Sequence, residues 1–300
     1  MNAVAPGDEE PGPGLGELPA EATVLRMLLG AQLRRLREAA GIPADKAGYE
    51  IRASRSKISR LETGRVGFKV RDVEDLLTLY GVTGEQQRAK IVALARQSRA
   101  PEWWAKYSDI LPDWFETYLG LESAATAIRN FELQFVPGLF QTEDYARAVT
   151  KLGRRSALTG EIEHRVALRL RRQEVLTRAQ PPRIWVVMDE AVLRRPVGGV
   201  PVMRDQLRYL VEAARMPNVT LQVVPFARGG HAGAGGSFSL LRFAERDLPD
   251  VVYIEQLTSA VYLDQRADVE HYLEVIDQLS TEALTPAETI RYIAQIAQET

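Results

Sequence analysis

Between residues 22 and 82 apolar positions recur at helical spacing and are interrupted at short intervals by residues that stop helices. Val24, Leu25, Leu28, Leu29, Leu33 and Leu36 define a helix predicted over Val24–Ala40, and Gly41 ends it. Pro43 opens a second short helix, where its missing N–H costs nothing, and the pattern carries that helix to about Ile51. A turn at Arg52 and Ala53 leads into a third helix. Ser54 is placed to cap it, Ile58 and Leu61 sit three apart and face inward, and Gly64 supplies the left-handed residue that closes it. Val70–Tyr80 repeats the scheme with Val73, Leu76, Leu77 and Tyr80, ended by Gly81. The pattern predicts an N-terminal all-α bundle over residues 21–82, followed by a linker helix within 83–100.

Beyond residue 100 the pattern changes. Trp103, Trp104, Tyr107, Trp114, Phe115 and Tyr118 crowd one helical stretch, a density expected of core or of an interface. Strands are predicted at Thr126–Phe135, Arg183–Met188, Val219–Pro225, Ser237–Phe243 and Val251–Glu255. Helices are predicted at Glu143–Leu152, Glu161–Arg178, Met203–Arg215, Ala267–Leu279 and Pro286–Gln298. Such alternation implies a larger mixed α/β (α+β) domain over residues 101–300, suited to sensing, dimerisation or partner binding. Within Glu161–Arg178, Ile162, Val166 and Leu170 point inward, which leaves Arg165, Arg169, Arg171, Arg172 and Arg178 as a basic face, expected to be solvated or to meet an acidic partner rather than DNA. Residues 1–20, with Pro11-Gly12-Pro13-Gly14 and the acids Asp8, Glu9 and Glu10, read as a disordered arm.

Charge separates the two regions. The net charge is −2, yet residues 21–96 hold fifteen Lys and Arg against nine Asp and Glu. One basic module inside a near-neutral chain is the electrostatic footprint of nucleic-acid binding. The third helix fits that role, because Arg55, Ser56, Lys57, Ser59 and Arg60 face outward near its start, where such helices reach base edges and phosphates. Ser54 joins them at the cap. Arg52, Arg65 and Lys69 flank the helix and are expected on phosphate, and Arg55 and Lys57 are the candidates for guanine readout. Double-stranded DNA is the expected partner. A homodimer would match two half-sites about one helical turn apart.

Residues 21–82 resemble the lambda-repressor-like (XRE) helix-turn-helix class, in which a serine-rich third helix ending in Ile58-Ser59-Arg60-Leu61-Glu62-Thr63-Gly64 is typical. The resemblance implies an ion pair between Arg37 of the first helix and Glu62 at the end of the third. It departs at Ala44 and Arg52, where the class often has glutamine and glycine. Tyr49-Glu50-Ile51-Arg52-Ala53-Ser54, Gly64-Arg65-Val66-Gly67-Phe68-Lys69, Phe135-Val136-Pro137-Gly138-Leu139-Phe140-Gln141-Thr142, Val224-Pro225-Phe226 and Glu255-Gln256-Leu257 extend the likeness to antitoxin-like regulators. That implies a C-terminal domain answering to a small partner protein encoded nearby or to a small-molecule effector. An alternative makes binding the small partner the main role, through the aromatics of residues 103–118.

Candidate chemistry in the long region is sparse. There is no Cys, three scattered His offer no metal site, and no cofactor is expected. No apolar run approaches a membrane span and no signal segment opens the chain, so a cytoplasmic protein is expected. Gly229-Gly230-His231-Ala232-Gly233-Ala234-Gly235-Gly236 lacks a Gly-Lys-Ser/Thr ending and runs into a strand, which favours a flexible loop with an exposed histidine over a phosphate cradle. Asp189 and Glu190 follow a strand, where α/β sites often place acids, but no His or Lys is near in sequence. None of the three histidines has the H-x-K pattern, and no enzymatic activity is expected; a weaker enzymatic reading rests on Asp189 and His231.

Overall fold

The computed structural model describes residues 22–153, 158–245 and 248–300, so the arm expected at 1–20 lies outside the described residues. The described chain begins with helices α1 (Ala22–Ala39), α2 (Ala44–Glu50), α3 (Arg55–Glu62), α4 (Val70–Leu79) and α5 (Glu85–Gln97). Leu29, Leu33, Ala47, Ile58, Leu61, Val73, Leu76 and Leu77 close one core, and Ile91 and Ala95 belong to it. Helix α5 is therefore a fifth wall of the bundle, not a linker. Ile91 and Ala95 lie four apart on one helical face, and both are buried where α5 meets α1 and α4.

Helix α1 serves two cores. Leu29 and Leu33 point into the bundle, whereas Val24 and Met27 enter the core of the larger domain beside Tyr118 and Leu121. The latter two come from α6 (Asp113–Ala124), which lies directly on α1. A Cβ on Gly120 would sit 2.0 Å from Thr23 Oγ1, so only glycine permits this approach. Before α6, a 3-10 turn at Trp103–Tyr107 folds Trp104 and Tyr107 into a small cluster with Leu111, Leu119 and Leu168.

Among the described residues, six strands form one mixed sheet: β1 (Ala127–Glu132), β2 (Arg183–Asp189), β3 (Val219–Val224), β4 (Phe238–Arg242), β5 (Val251–Glu255) and β6 (Ala260–Leu263). The spatial order is β3-β2-β1-β4-β5-β6. The first three are parallel, and the last three continue antiparallel from β1. Parallel pairing requires crossovers, supplied by α7 (Glu143–Gly153) and α8 (Thr159–Arg172) before β2, then α9 (Ala191–Arg194) and α10 (Val200–Ala213) before β3. Ile128, Val186, Leu221 and Leu241 face α10 and α12 (Pro286–Glu299) in the larger core. Phe131, Val187, Leu240 and Val252 face α11 (Arg266–Glu282) on the other side. The chain is an N-terminal all-α bundle followed by a larger α+β domain.

Strand β6 was not expected from the sequence. Helix α8 also ends earlier than its pattern suggests, at Arg172, and passes into a 3-10 turn at Gln173–Leu176. Its basic face is not simply solvated. Arg172 is buried in a two-bond pair with Glu122, Arg169 donates to Gln141, and Arg178 donates to the main-chain oxygens of Ser123 and Ala125.

Candidate functional site

The turn between α2 and α3 is built by close backbone contact. Gly48 is buried, and a Cβ there would lie 2.7 Å from the carbonyl oxygen of Ala53. Arg52 turns the chain with φ +53°, the left-handed region that glycine occupies without cost. Ser54 caps α3, its hydroxyl accepting from the backbone N–H of Lys57 at 3.2 Å. Ile58 and Leu61 anchor the inner face. Gly64 closes the helix at φ +70°.

Helix α3 is held against α1 at its far end. Arg37 donates from Nε to Glu62 Oε1 at 2.6 Å and from a terminal nitrogen to Oε2 at 2.9 Å, and its other terminal nitrogen reaches the carbonyl of Ile42 at 3.0 Å. A Cβ on Gly30 would stand 2.4 Å from the carbonyl oxygen of Leu61, so the two helices touch backbone to backbone. This clamp fixes the tilt at which α3 is presented.

Arg52, Ser54, Arg55, Ser56, Ser59, Arg60 and Lys69 are exposed, and Lys57 is half-buried. Among the described residues the side chains of Arg52, Arg55, Lys57, Arg60 and Lys69 make no hydrogen bond, ion pair or ring contact, whereas Arg34, Arg37, Arg71 and Arg88 of the same bundle are engaged. Arg65 departs from its expected place on phosphate. It is half-buried, donates to the main-chain oxygen of Tyr262 at 2.8 Å and lies 5.2 Å from that residue's ring centre. It joins the head to strand β6.

The helical arrangement agrees with a model of a helix-turn-helix domain, which matches residues 28–90. A second model, described as Domain of unknown function (DUF5753), matches residues 115–295, more than half of the chain. The chain belongs to the DUF5753 family. No curated protein and no solved structure matches it. Among the described residues, no helix is long and apolar enough to cross a membrane.

The DUF5753 part brings together residues that are far apart in sequence. His231, expected as an exposed loop residue, is largely buried, and its Nε2 lies 3.2 Å from Asp189 Oδ2. Its Nδ1 accepts from the backbone N–H of Gly233 at 3.1 Å, which places the ring proton on Nε2, donating to Asp189. Both ring nitrogens are thereby occupied. Asp189 Oδ1 also accepts from the N–H of Ala191, and Glu190 accepts from Arg194 and from the N–H of Phe226. The arrangement pins the glycine-rich loop to the end of β2. Gly233 completes it, since a Cβ there would stand 2.1 Å from the Phe131 ring.

The DUF5753 part also holds a polar patch on the sheet face that carries Ile128. Asn130 and Glu132 follow Ile128 at every second position of β1, where an inward-facing strand ordinarily carries apolar residues. Asn130 is buried and donates to Ser239 Oγ, to the Phe238 carbonyl and to Glu132. Tyr253 donates to Glu255 at 2.9 Å. Burial, with a smaller contribution from Glu255, pushes the Glu132 carboxyl up to about 7. Burial, then the neighbouring Arg172, pushes Arg169 down to about 10. Period-two reading of β1 carried the signal for Asn130 and Glu132; nothing local could have paired them with Arg169 or Glu255.

Half of the aromatic stretch at 103–118 is buried, and Trp103, Trp114 and Phe115 are half-buried. Trp104, Tyr107 and Tyr118 are buried, the ring of Trp103 meets those of Trp104 and Tyr107 edge to face, and Phe115 and Tyr118 stack beside the Arg172 guanidinium. Trp104, Tyr107 and Tyr118 are core, and Trp103 and Phe115 pack against it.

Proposed function

We propose that the chain is a sequence-specific DNA-binding transcription regulator of the XRE class, acting as a homodimer, whose DUF5753 part responds to an effector. One observation carries the reading: five cations without an intramolecular partner among the described residues, Arg52, Arg55, Lys57, Arg60 and Lys69, are concentrated on the turn, on α3 and at the start of α4. Helix α3 enters the major groove. Arg55 and Lys57 read guanine, Ser54, Ser56 and Ser59 lie within reach of bases or phosphate, and Arg52, Arg60 and Lys69 hold the backbone. Two copies address two half-sites, the usual geometry of such domains. Burial of Trp104, Tyr107 and Tyr118 weighs against the alternative in which residues 103–118 chiefly grip a small partner protein.

Capture of genomic DNA by the purified protein at about 50 and about 200 mM salt tests this. Neutralising six to ten phosphates costs about three to five decades of affinity over that range. A discrete set of inverted-repeat sites that weakens with salt is the expected result, and replacement of Arg55 and Lys57 by Ala should cost about 1–3 kcal/mol per lost base contact. Unchanged operator binding by that double variant would refute the assignment of α3.

A further inference from the structure

The register of the sheet places Asn130, Ser239, Tyr253 and Tyr262 in one row across β1, β4, β5 and β6. Two residues further along, Glu132 and Glu255 flank Ser237, about 10 Å apart at two strand spacings. Ser237 is held to β1 through the N–H of Leu133. Arg169 of α8 lies within electrostatic reach of Glu255 and donates to the side-chain oxygen of Gln141 at 2.9 Å. Arg172 beside it is already neutralised by Glu122.

Four polar groups in this patch are left incomplete among the described residues. Glu132 and Glu255 accept from Asn130 and Tyr253 but have no cation within ion-pair distance. Arg169 has no carboxylate within ion-pair distance. Asn130, 8% exposed, has a buried side-chain oxygen with no donor. Its amide cannot be turned round to cure this, because its nitrogen faces the Phe238 carbonyl and the Glu132 carboxylate, both of which only accept. Groups left in this condition cost free energy unless something else completes them. Glu255 is exposed and Glu132 and Arg169 are half-buried, so the patch opens to solvent.

We propose that this patch binds a small zwitterion, with a protonated amino or guanidino group between Glu132 and Glu255 and a carboxylate or phosphate on Arg169. The acceptors in excess call for a donor-rich cation, and the guanidinium calls for an anion. The proposal deepens the effector reading, because the same row ends at the domain junction: the rings of Tyr253 and Tyr262 lie 5.2 Å apart, and Tyr262 receives Arg65.

Calorimetric titration of the full chain with L-arginine, L-lysine and phosphoethanolamine tests the site, with agmatine as a cation that lacks the anionic group. Binding is read without DNA, so its outcome is separate from that of the DNA reading. At least one zwitterion should bind at a single site, agmatine about tenfold more weakly, and Glu255→Gln should weaken the zwitterion about tenfold, as loss of one charge-assisted contact does. The arm that binds distinguishes carboxylate from phosphate. No heat from any of the three at about 10 mM, or equal affinity in wild type, Glu132→Gln and Glu255→Gln, would overturn the proposal.

Discussion

Arg65 stands just past the end of α3 and donates to the main-chain oxygen of Tyr262 on the last strand, with its guanidinium over that residue's ring. The contact adds a polar tie between the helical head and the DUF5753 part to the apolar one that α1 makes with α6. Arg65→Ala should destabilise the chain by about 1–2 kcal/mol, the range for a charged hydrogen bond with a cation–π contribution at a half-buried site. On DNA it should change the salt slope less than Lys69→Ala, for which the expected loss is about 1. Equal slope changes would mean that Arg65 leaves Tyr262 for phosphate when DNA binds.

Glu62 and Arg37 are 8% and 12% exposed and joined by two hydrogen bonds. Removing one partner leaves the other charge sequestered, so Glu62→Ala should cost about 3 kcal/mol in urea unfolding. The nearby Tyr80 makes a contrasting case. Its hydroxyl is buried with no partner among the described residues, and burial with Glu62 nearby raises its pKa above the ordinary tyrosine value. Tyr80→Phe should therefore be neutral or stabilising by up to about 1 kcal/mol. A loss of stability would reveal a partner for that oxygen.

The turn before α3 sets two requirements one loop apart. Gly48→Ala drives a Cβ into the Ala53 carbonyl and should cost about 2 kcal/mol, a typical overpacking penalty. Arg52→Gly relieves a left-handed arginine, so melting temperature should hold or rise while operator affinity falls with the lost cation. A drop in both would show that Arg52 supports the fold through its side chain.

Local signals reached far in the head and less far beyond it. Ser54, Ile58, Leu61 and Gly64 define α3 within twelve residues, and their roles follow from spacing and capping alone. The same spacing does not say what Ile91 and Ala95 touch, so α5 has the sequence pattern of a linker although α1 and α4 receive it. Arg172 occupies a nominally outward helical position, yet Glu122, fifty residues earlier, draws it inside. Asp189 and His231 lie forty-two residues apart and meet only because β2 and the loop after β3 end at the same edge. Periodicity reports which face is buried; it does not report which distant charge waits there.

Glu132 gives a prediction whose sign is fixed by its environment. Its carboxyl moves from an ordinary 4.5 to about 7, chiefly by burial, among Asn130, Ser237 and Glu255 on the sheet, with Tyr145 of α7 also within electrostatic reach. Below pH 4.5 the folded and unfolded chains both hold the proton, and the residue imposes no penalty. Between 4.5 and 7 the unfolded chain releases it first, so stability falls as pH rises, and above 7 the loss is complete. Glu132 retains some solvent contact, which limits the effect to about 1–2 kcal/mol. Glu132→Gln should match wild type near pH 4.5 and exceed it near pH 8, the difference between the two urea curves cancelling every other titrating group. A constant difference across that range would place the proton elsewhere, and a reversed one would mean that a cation holds Glu132 ionised in the fold.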